Sequence, residues 1–99
     1  MKFFVVGLGN FGATLSINLT SLGHEVIGAD ISLNKVESLK NRITHTVCMD
    51  CTDANNLHSL PLKEMDVVIV AIGEDFAASV LIFAPRRFRK ADEFPTFSF

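Results

Sequence analysis

Lys2-Phe3-Phe4-Val5-Val6-Gly7-Leu8-Gly9-Asn10-Phe11-Gly12, followed by Gly23-His24-Glu25-Val26-Ile27-Gly28-Ala29-Asp30, is the stretch on which the reading of this 99-residue chain turns. The apolar run from Phe3 to Val6 has the length of a strand, and three glycines then interrupt it. Beyond them Phe11, Leu15, Leu19 and Leu22, with Ala13 and Ile17 nearby, recur at helical spacing and form one apolar stripe. Gly23 suits the position just past a helix end, where a left-handed backbone is needed. Val26 to Ala29 predicts a second strand, and Asp30 closes it.

Strand, glycine turn, helix, strand and terminal acid in that order form the dinucleotide-binding βαβ pattern. Gly7 lets the chain leave the strand tightly, Gly9 lets backbone amides approach a pyrophosphate, and Gly12 lets the helix pack closely on the sheet. The phosphate is expected on the helix N-terminus, where amides without partners and about half a positive charge favour an anion. Asp30 lies 18 residues after Gly12 and is expected to accept from a ribose. A 2′-phosphate about 4 Å from it would meet repulsion on the order of 4 kcal/mol at an effective dielectric near 20, which disfavours NADP.

Working outward, Ser32 is a candidate N-cap for a second helix carrying Leu33, Val36, Leu39 and Ile43 and reaching about Arg42, with a short strand at Thr46 to Met49 after it. Thr52 or Asp53 can cap a third helix that runs to about Leu60 and stops at Pro61. Asp66 to Ile72 is a Val/Ile run without alternation, as in a parallel strand covered on both faces. Gly73-Glu74-Asp75 then opens a fourth helix to about Ala84, its acids in the first turn where the helix dipole favours them. Right-handed crossovers turn these four βα units into a Rossmann-like α/β fold: a parallel sheet of order 3-2-1-4 with helices on both faces, truncated after the fourth unit.

Residues 1–84 are thus expected to form the nucleotide-binding domain, and residues 85–99 an atypical basic, Phe-rich tail. The composition changes at Pro85. Residues 1–85 carry five basic and nine acidic side chains, and residues 86–99 four and two. The tail shows no helical or strand periodicity, which leaves Val67 to Ile72 as an open sheet edge unless Phe88, Phe94, Phe97 and Phe99 supply a substitute edge strand or dock on a partner.

Composition narrows the function classes. A net charge of −2 gives no argument for nucleic-acid binding, and the apolar runs are far short of a membrane span despite 48% apolar content. The apolar start is broken by Gly7 and Gly9, unlike a signal peptide, so the expected location is cytoplasmic. Cys48 and Cys51 form a C-x-x-C without the two further ligands of a structural zinc site, and Cys48 falls inside a strand and not at a helix start; both are expected to be reduced thiols. Ligands of open α/β sheets bind at the carboxyl ends of the strands. Gly7 to Gly12, Asp30, Asp50 to Thr52 and Gly73 to Asp75 lie at that edge, His24 and His45 at the other, and His58 on the third helix. With no tyrosine, no histidine at the ligand edge and no substrate domain, the site is built to hold a nucleotide and not to transform one, and no enzymatic activity is expected.

Gly7-Leu8-Gly9-Asn10-Phe11-Gly12, Gly23-His24-Glu25-Val26, Asp30-Ile31, Thr44-His45-Thr46-Val47, Asp50-Cys51-Thr52-Asp53 and Val68-Ile69-Val70-Ala71-Ile72-Gly73-Glu74-Asp75, with Ala78-Ser79 beyond, resemble the RCK N-terminal (regulator of K+ conductance, TrkA-N) domain of Trk/Ktr potassium uptake systems. The resemblance covers residues 1 to about 83. It implies a cytoplasmic regulatory subunit that forms dimers and rings beneath a membrane potassium transporter, at the inner face of the cell membrane. Such a subunit binds NAD(H) or ATP/ADP, and nucleotide exchange gates the pore. Carried over by position, the ligand would be held by Gly7, Leu8, Gly9, Asn10, Phe11 and Gly12 at the phosphates and Asp30 with Ile31 at the ribose. Asp50, Cys51 and Thr52 would lie around the adenine, and Ile72, Gly73 and Glu74 on the phosphate side. Asn10 stands where the family's turn often has an arginine that reaches terminal phosphates. Two other readings compete: the NAD-binding domain of a small dehydrogenase-like enzyme, and a truncated, non-functional remnant.

Overall fold

Phe4, Val5 and Val26 are wholly shielded from solvent because they belong to the two innermost parallel strands of the sheet. β1 (Lys2–Val6) pairs in parallel with β2 (Glu25–Asp30) on one side, Val5 opposite Gly28, and with Val67–Ala71 on the other, Val5 opposite Ile69. The structure is a computed structural model that describes residues 1–53, 55–56, 59–60, 62–71, 80–83 and 96–98. β3 (His45–Cys48) pairs in parallel outside β2, and Val67–Ala71 is β4. The first four strands therefore take the order 3-2-1-4 of a Rossmann-like sheet.

Alternate side chains of each strand go to opposite faces, so each face has its own core. On one face Phe3, Val5, Val26 and Ile69 meet α1 (Asn10–Ser21) and α2 (Leu33–Leu39) through Phe11, Leu15, Val36 and Leu39. On the other, Phe4, Val6, Ala29 and Val68 are covered by Met65, Leu60 and Leu62 from the segment after β3. The ends of α1 follow the local rules. Its C-terminus is a Schellman motif, in which the Gly23 amide donates to the Thr20 carbonyl at 3.0 Å and the His24 amide to the Leu19 carbonyl at 3.1 Å. Gly23 has φ +94°, a conformation that L side chains rarely adopt.

Several expectations are corrected. α2 ends at Leu39 and not near Arg42, because the chain turns there: the Arg42 and Ile43 amides both donate to the Leu39 carbonyl, and Ile43 reaches the core from outside the helix. Leu33, read as part of the α2 stripe, is 58% exposed. β3 begins one residue earlier than expected, at His45. The expected third helix lies partly outside the described residues, as do His58 and Pro61, and Leu62–Glu64 forms a short 3-10 turn.

The expected fourth helix is overturned over its second half. Val80–Phe83 is a strand, β5, antiparallel to β4 with Ile82 opposite Ile69. Thr96–Ser98 is β6, antiparallel to β5. The sheet order is β3-β2-β1-β4-β5-β6: the edge of β4 is covered by β5 and not by the tail, whose Thr96–Ser98 adds the outermost strand beside β5. Four consecutive apolar residues fit a strand as well as a helix turn. The open hydrogen-bonding edge of β4 decides between them.

Candidate functional site

The carboxyl ends of β1, β2, β3 and β4 surround a pocket of about 220 Å³. Gly7 and Gly9 enter it from the turn after β1, Asp30 and Ile31 from the end of β2, and Asp50, Cys51 and Thr52 from the loop after β3. Sequence reasoning anticipated these seven. It missed Val6, Ala29, Met49 and Ala71, the strand-end residues between them, and Lys35 of α2. The strand-end residues follow from the parallel register. Lys35 had no strand-end signal, since only the packing of α2 brings it there.

Leu8, Asn10, Phe11 and Gly12 are not among the lining residues. The Leu8 side chain is buried in the core, Phe11 packs against the same cluster, and Asn10 is exposed at the start of α1. Gly12 carries the close approach expected of it: a Cβ there would lie 1.8 Å from the Gly7 carbonyl oxygen. Gly7 itself has φ +97°, the left-handed turn out of β1. Ile72, Gly73, Glu74 and Asp75 lie outside the described residues.

Asp30 joins the two halves of the site. The Leu8 amide donates to its Oδ2 and the Ser32 amide to its Oδ1, each at 2.8 Å. An ionised carboxylate has about four acceptor positions, so about two remain for a ligand. Beside it, α1 starts at Gly9, an N-cap with extended backbone and no side chain to offer, and no acid stands in the helix's first turn. The positive end of the helix dipole is therefore left to an incoming anion.

The loop after β3 is ordered by its own polar groups. The hydroxyl and the amide of Thr52 both donate to Asp50 Oδ1, at 2.5 and 2.9 Å, and hold the Asp50 carboxyl below the usual carboxylate range. Asn56 Nδ2 donates to the Asp50 carbonyl at 2.9 Å. Between Asp50 and Thr52, the Cys51 thiol is pushed up from its ordinary value by burial first, then by the negative charges of Asp50 and Asp30. Both cysteines are free; the Cys48 thiol donates to the Ile31 carbonyl at 3.5 Å. Among the described residues no group of three or more His, Cys, Asp or Glu side chains could hold a metal.

His24 and His45 lie at the opposite edge of the sheet, as expected. The His24 ring meets Phe3 edge-on at 5.1 Å, and His45 Nε2 lies 4.0 Å from Glu25 Oε1. Among the described residues no helix is long and apolar enough to cross a membrane.

Comparison with known proteins agrees with this architecture. The model of the TrkA-N domain matches residues 3–92. Over 80 residues the chain is 41% identical to Ktr system potassium uptake protein A and 42% identical to Ktr system potassium uptake protein C, both of Bacillus subtilis (strain 168). It is 32% identical over 80 residues to Ktr system potassium uptake protein A of Vibrio alginolyticus. Each match covers 81% of this chain and 36% of the relative, so the chain spans about a third of the length of these relatives.

Proposed function

The chain belongs to the TrkA-N domain family, and from that membership we propose that it is a nucleotide-binding regulatory module of a potassium uptake system. The potassium link is supported by relatives named as Ktr system potassium uptake proteins. The proposed partner is a membrane potassium transporter subunit at the inner face of the cell membrane, with the module acting as a dimer or larger ring. It is read as a binder and not an enzyme.

The observation that carries the nucleotide reading is one pocket bordered by a side-chain-free helix start at Gly9 and by the Asp30 carboxylate with acceptor capacity to spare. Phosphate groups would sit over the glycine turn at the positive end of α1, ribose hydroxyls would donate to Asp30, and the base would lie against Ile31 and Met49 beside the Asp50–Thr52 loop. A volume of about 220 Å³ is below the roughly 300–1,000 Å³ common for small-molecule sites, which suits one nucleoside unit with its phosphates outside. ATP, ADP, NAD and NADH all present that unit. A ligand gates a transporter only through unequal affinity for two arrangements of the assembly, and exchange of nucleotides that differ in charge at α1 supplies such a difference.

The test is a thermal melt with each of the four nucleotides, combined with alkylation of the two cysteines followed by peptide mass spectrometry. A ligand at 100 times its dissociation constant adds about 2.7 kcal/mol. The expected result is a raised midpoint together with protection of Cys51 and an unchanged rate at Cys48. No shift with any of the four, or a shift without protection of Cys51, overturns the reading.

A further inference from the structure

We propose that Lys35 is a specificity-determining residue of the nucleotide pocket: it donates to the ribose oxygens whose hydroxyls donate to Asp30, so that the two side chains together read the vicinal diol of a ribonucleotide. This rests on the nucleotide reading above.

Three observations converge on it. Lys35 lines the pocket and supplies an ammonium among lining residues that otherwise include two carboxylates, Asp30 and Asp50. Its placement is coupled to Asp30 through the backbone. The Ser32 amide donates to Asp30 Oδ1, and the Ser32 hydroxyl, the N-cap of α2, accepts from the Lys35 amide at 3.4 Å. Lys35 also stands at the third position of α2, where the helix dipole and capping preferences favour an acid and disfavour a cation. A residue that contradicts its local helix preference while lining a pocket is where a functional role is expected.

The chemistry is complementary. Asp30 can only accept and Lys35 can only donate, whereas each ribose hydroxyl does both. A diol placed between them satisfies the two groups at once. Removal of the hydroxyls leaves the ammonium and the carboxylate without those bonds.

The experiment is calorimetric titration of ATP, ADP and their 2′,3′-dideoxy counterparts into the wild-type chain, Lys35→Met and Lys35→Arg. Lys35 is exposed on α2 and Met is a good helix former, so both variants are expected to keep the wild-type melting midpoint. The wild type should prefer each ribonucleotide over its dideoxy form. Lys35→Met should bind ATP and ADP about tenfold more weakly, the loss of a hydrogen bond made by a charged group, while dideoxy affinity changes less than twofold. Lys35→Arg should keep most of the preference. Equal losses for the ribo and dideoxy ligands, no loss at all, or a wild type that binds neither ATP nor ADP overturns the inference. A wild type that binds neither ATP nor ADP but is stabilised by NAD or NADH with protection of Cys51 overturns this inference alone and leaves the nucleotide reading standing.

Discussion

The amide of Leu8 donates to Oδ2 of Asp30 at 2.8 Å across 22 residues of chain, and this bond ties the glycine turn after β1 to the end of β2. Asp30 is thus a structural clamp as well as a candidate ribose ligand, its other oxygen holding the Ser32 amide where α2 begins. Asp30→Ala should lower the stability of the nucleotide-free chain by about 2 kcal/mol, since it removes two bonds to a charged acceptor and strands two amides. For a domain of this size that is roughly 10 °C in a thermal melt. An unchanged midpoint would mean that the clamp contributes nothing and that Asp30 serves the ligand alone.

Gly12, within α1, and Gly23, just past its end, should respond differently to the same change. In Gly12→Ala the new methyl group would stand 1.8 Å from a backbone oxygen, which no side-chain adjustment relieves. The helix must lift from the sheet, at a cost of about 3 kcal/mol or more, with loss of nucleotide-induced stabilisation. In Gly23→Ala nothing lies within 4 Å of the added atom, so only the strain of its φ of +94° remains, about 1–2 kcal/mol. Urea unfolding of the two variants measures the difference.

Ser16 offers a stabilising change. It is fully buried on α1, and its hydroxyl has no hydrogen-bond partner among the described residues. Ser16→Ala removes that unpaired group without adding volume and should raise stability by about 1 kcal/mol. A lower midpoint in Ser16→Ala would show that the hydroxyl is paired.

Cys51 should report the charge of its surroundings. Burial and two neighbouring carboxylates hold its thiol protonated, so its alkylation rate should keep rising with pH beyond the ordinary thiol range near 8.5. Asp50→Asn should move that titration down by removing one negative charge. The folded value lies above the unfolded one, so the stability linked to this thiol is fully present below about 8.5 and is lost as pH rises through the folded value. The Asp50 carboxyl has the opposite sign. Its folded value is depressed by the Thr52 hydroxyl and amide, so its contribution is present above about 3.9 and is lost as pH falls through the folded value. Alkylation rates and midpoints across pH check both.

Features encoded by near neighbours were legible in the chain alone. The strand, turn, helix and strand of residues 2–30, the Ser32 cap, the glycine after α1 and the 3-2-1-4 order all depend on residues a few positions apart and on the handedness of crossovers. The same reading anticipated Gly7, Gly9, Asp30 and the Asp50–Thr52 loop in the pocket wall, because a parallel register brings strand ends together, and the family resemblance added Ile31.

What the tertiary structure alone decided depends on partners distant in sequence. Val80–Phe83 is apolar enough for either a helix or a strand, and the unpaired edge of β4 made it a strand. Leu33 continues the apolar spacing of α2, yet the docking of the helix on the sheet buries Val36 and Leu39 and leaves Leu33 exposed. Nothing in the sequence marks Lys35 until that docking brings it to the pocket, and Asp30 reads as a ligand contact until the fold lays the Leu8 amide against it. Periodicity records which face of an element is apolar. Which groups meet across that face is determined only when the elements pack.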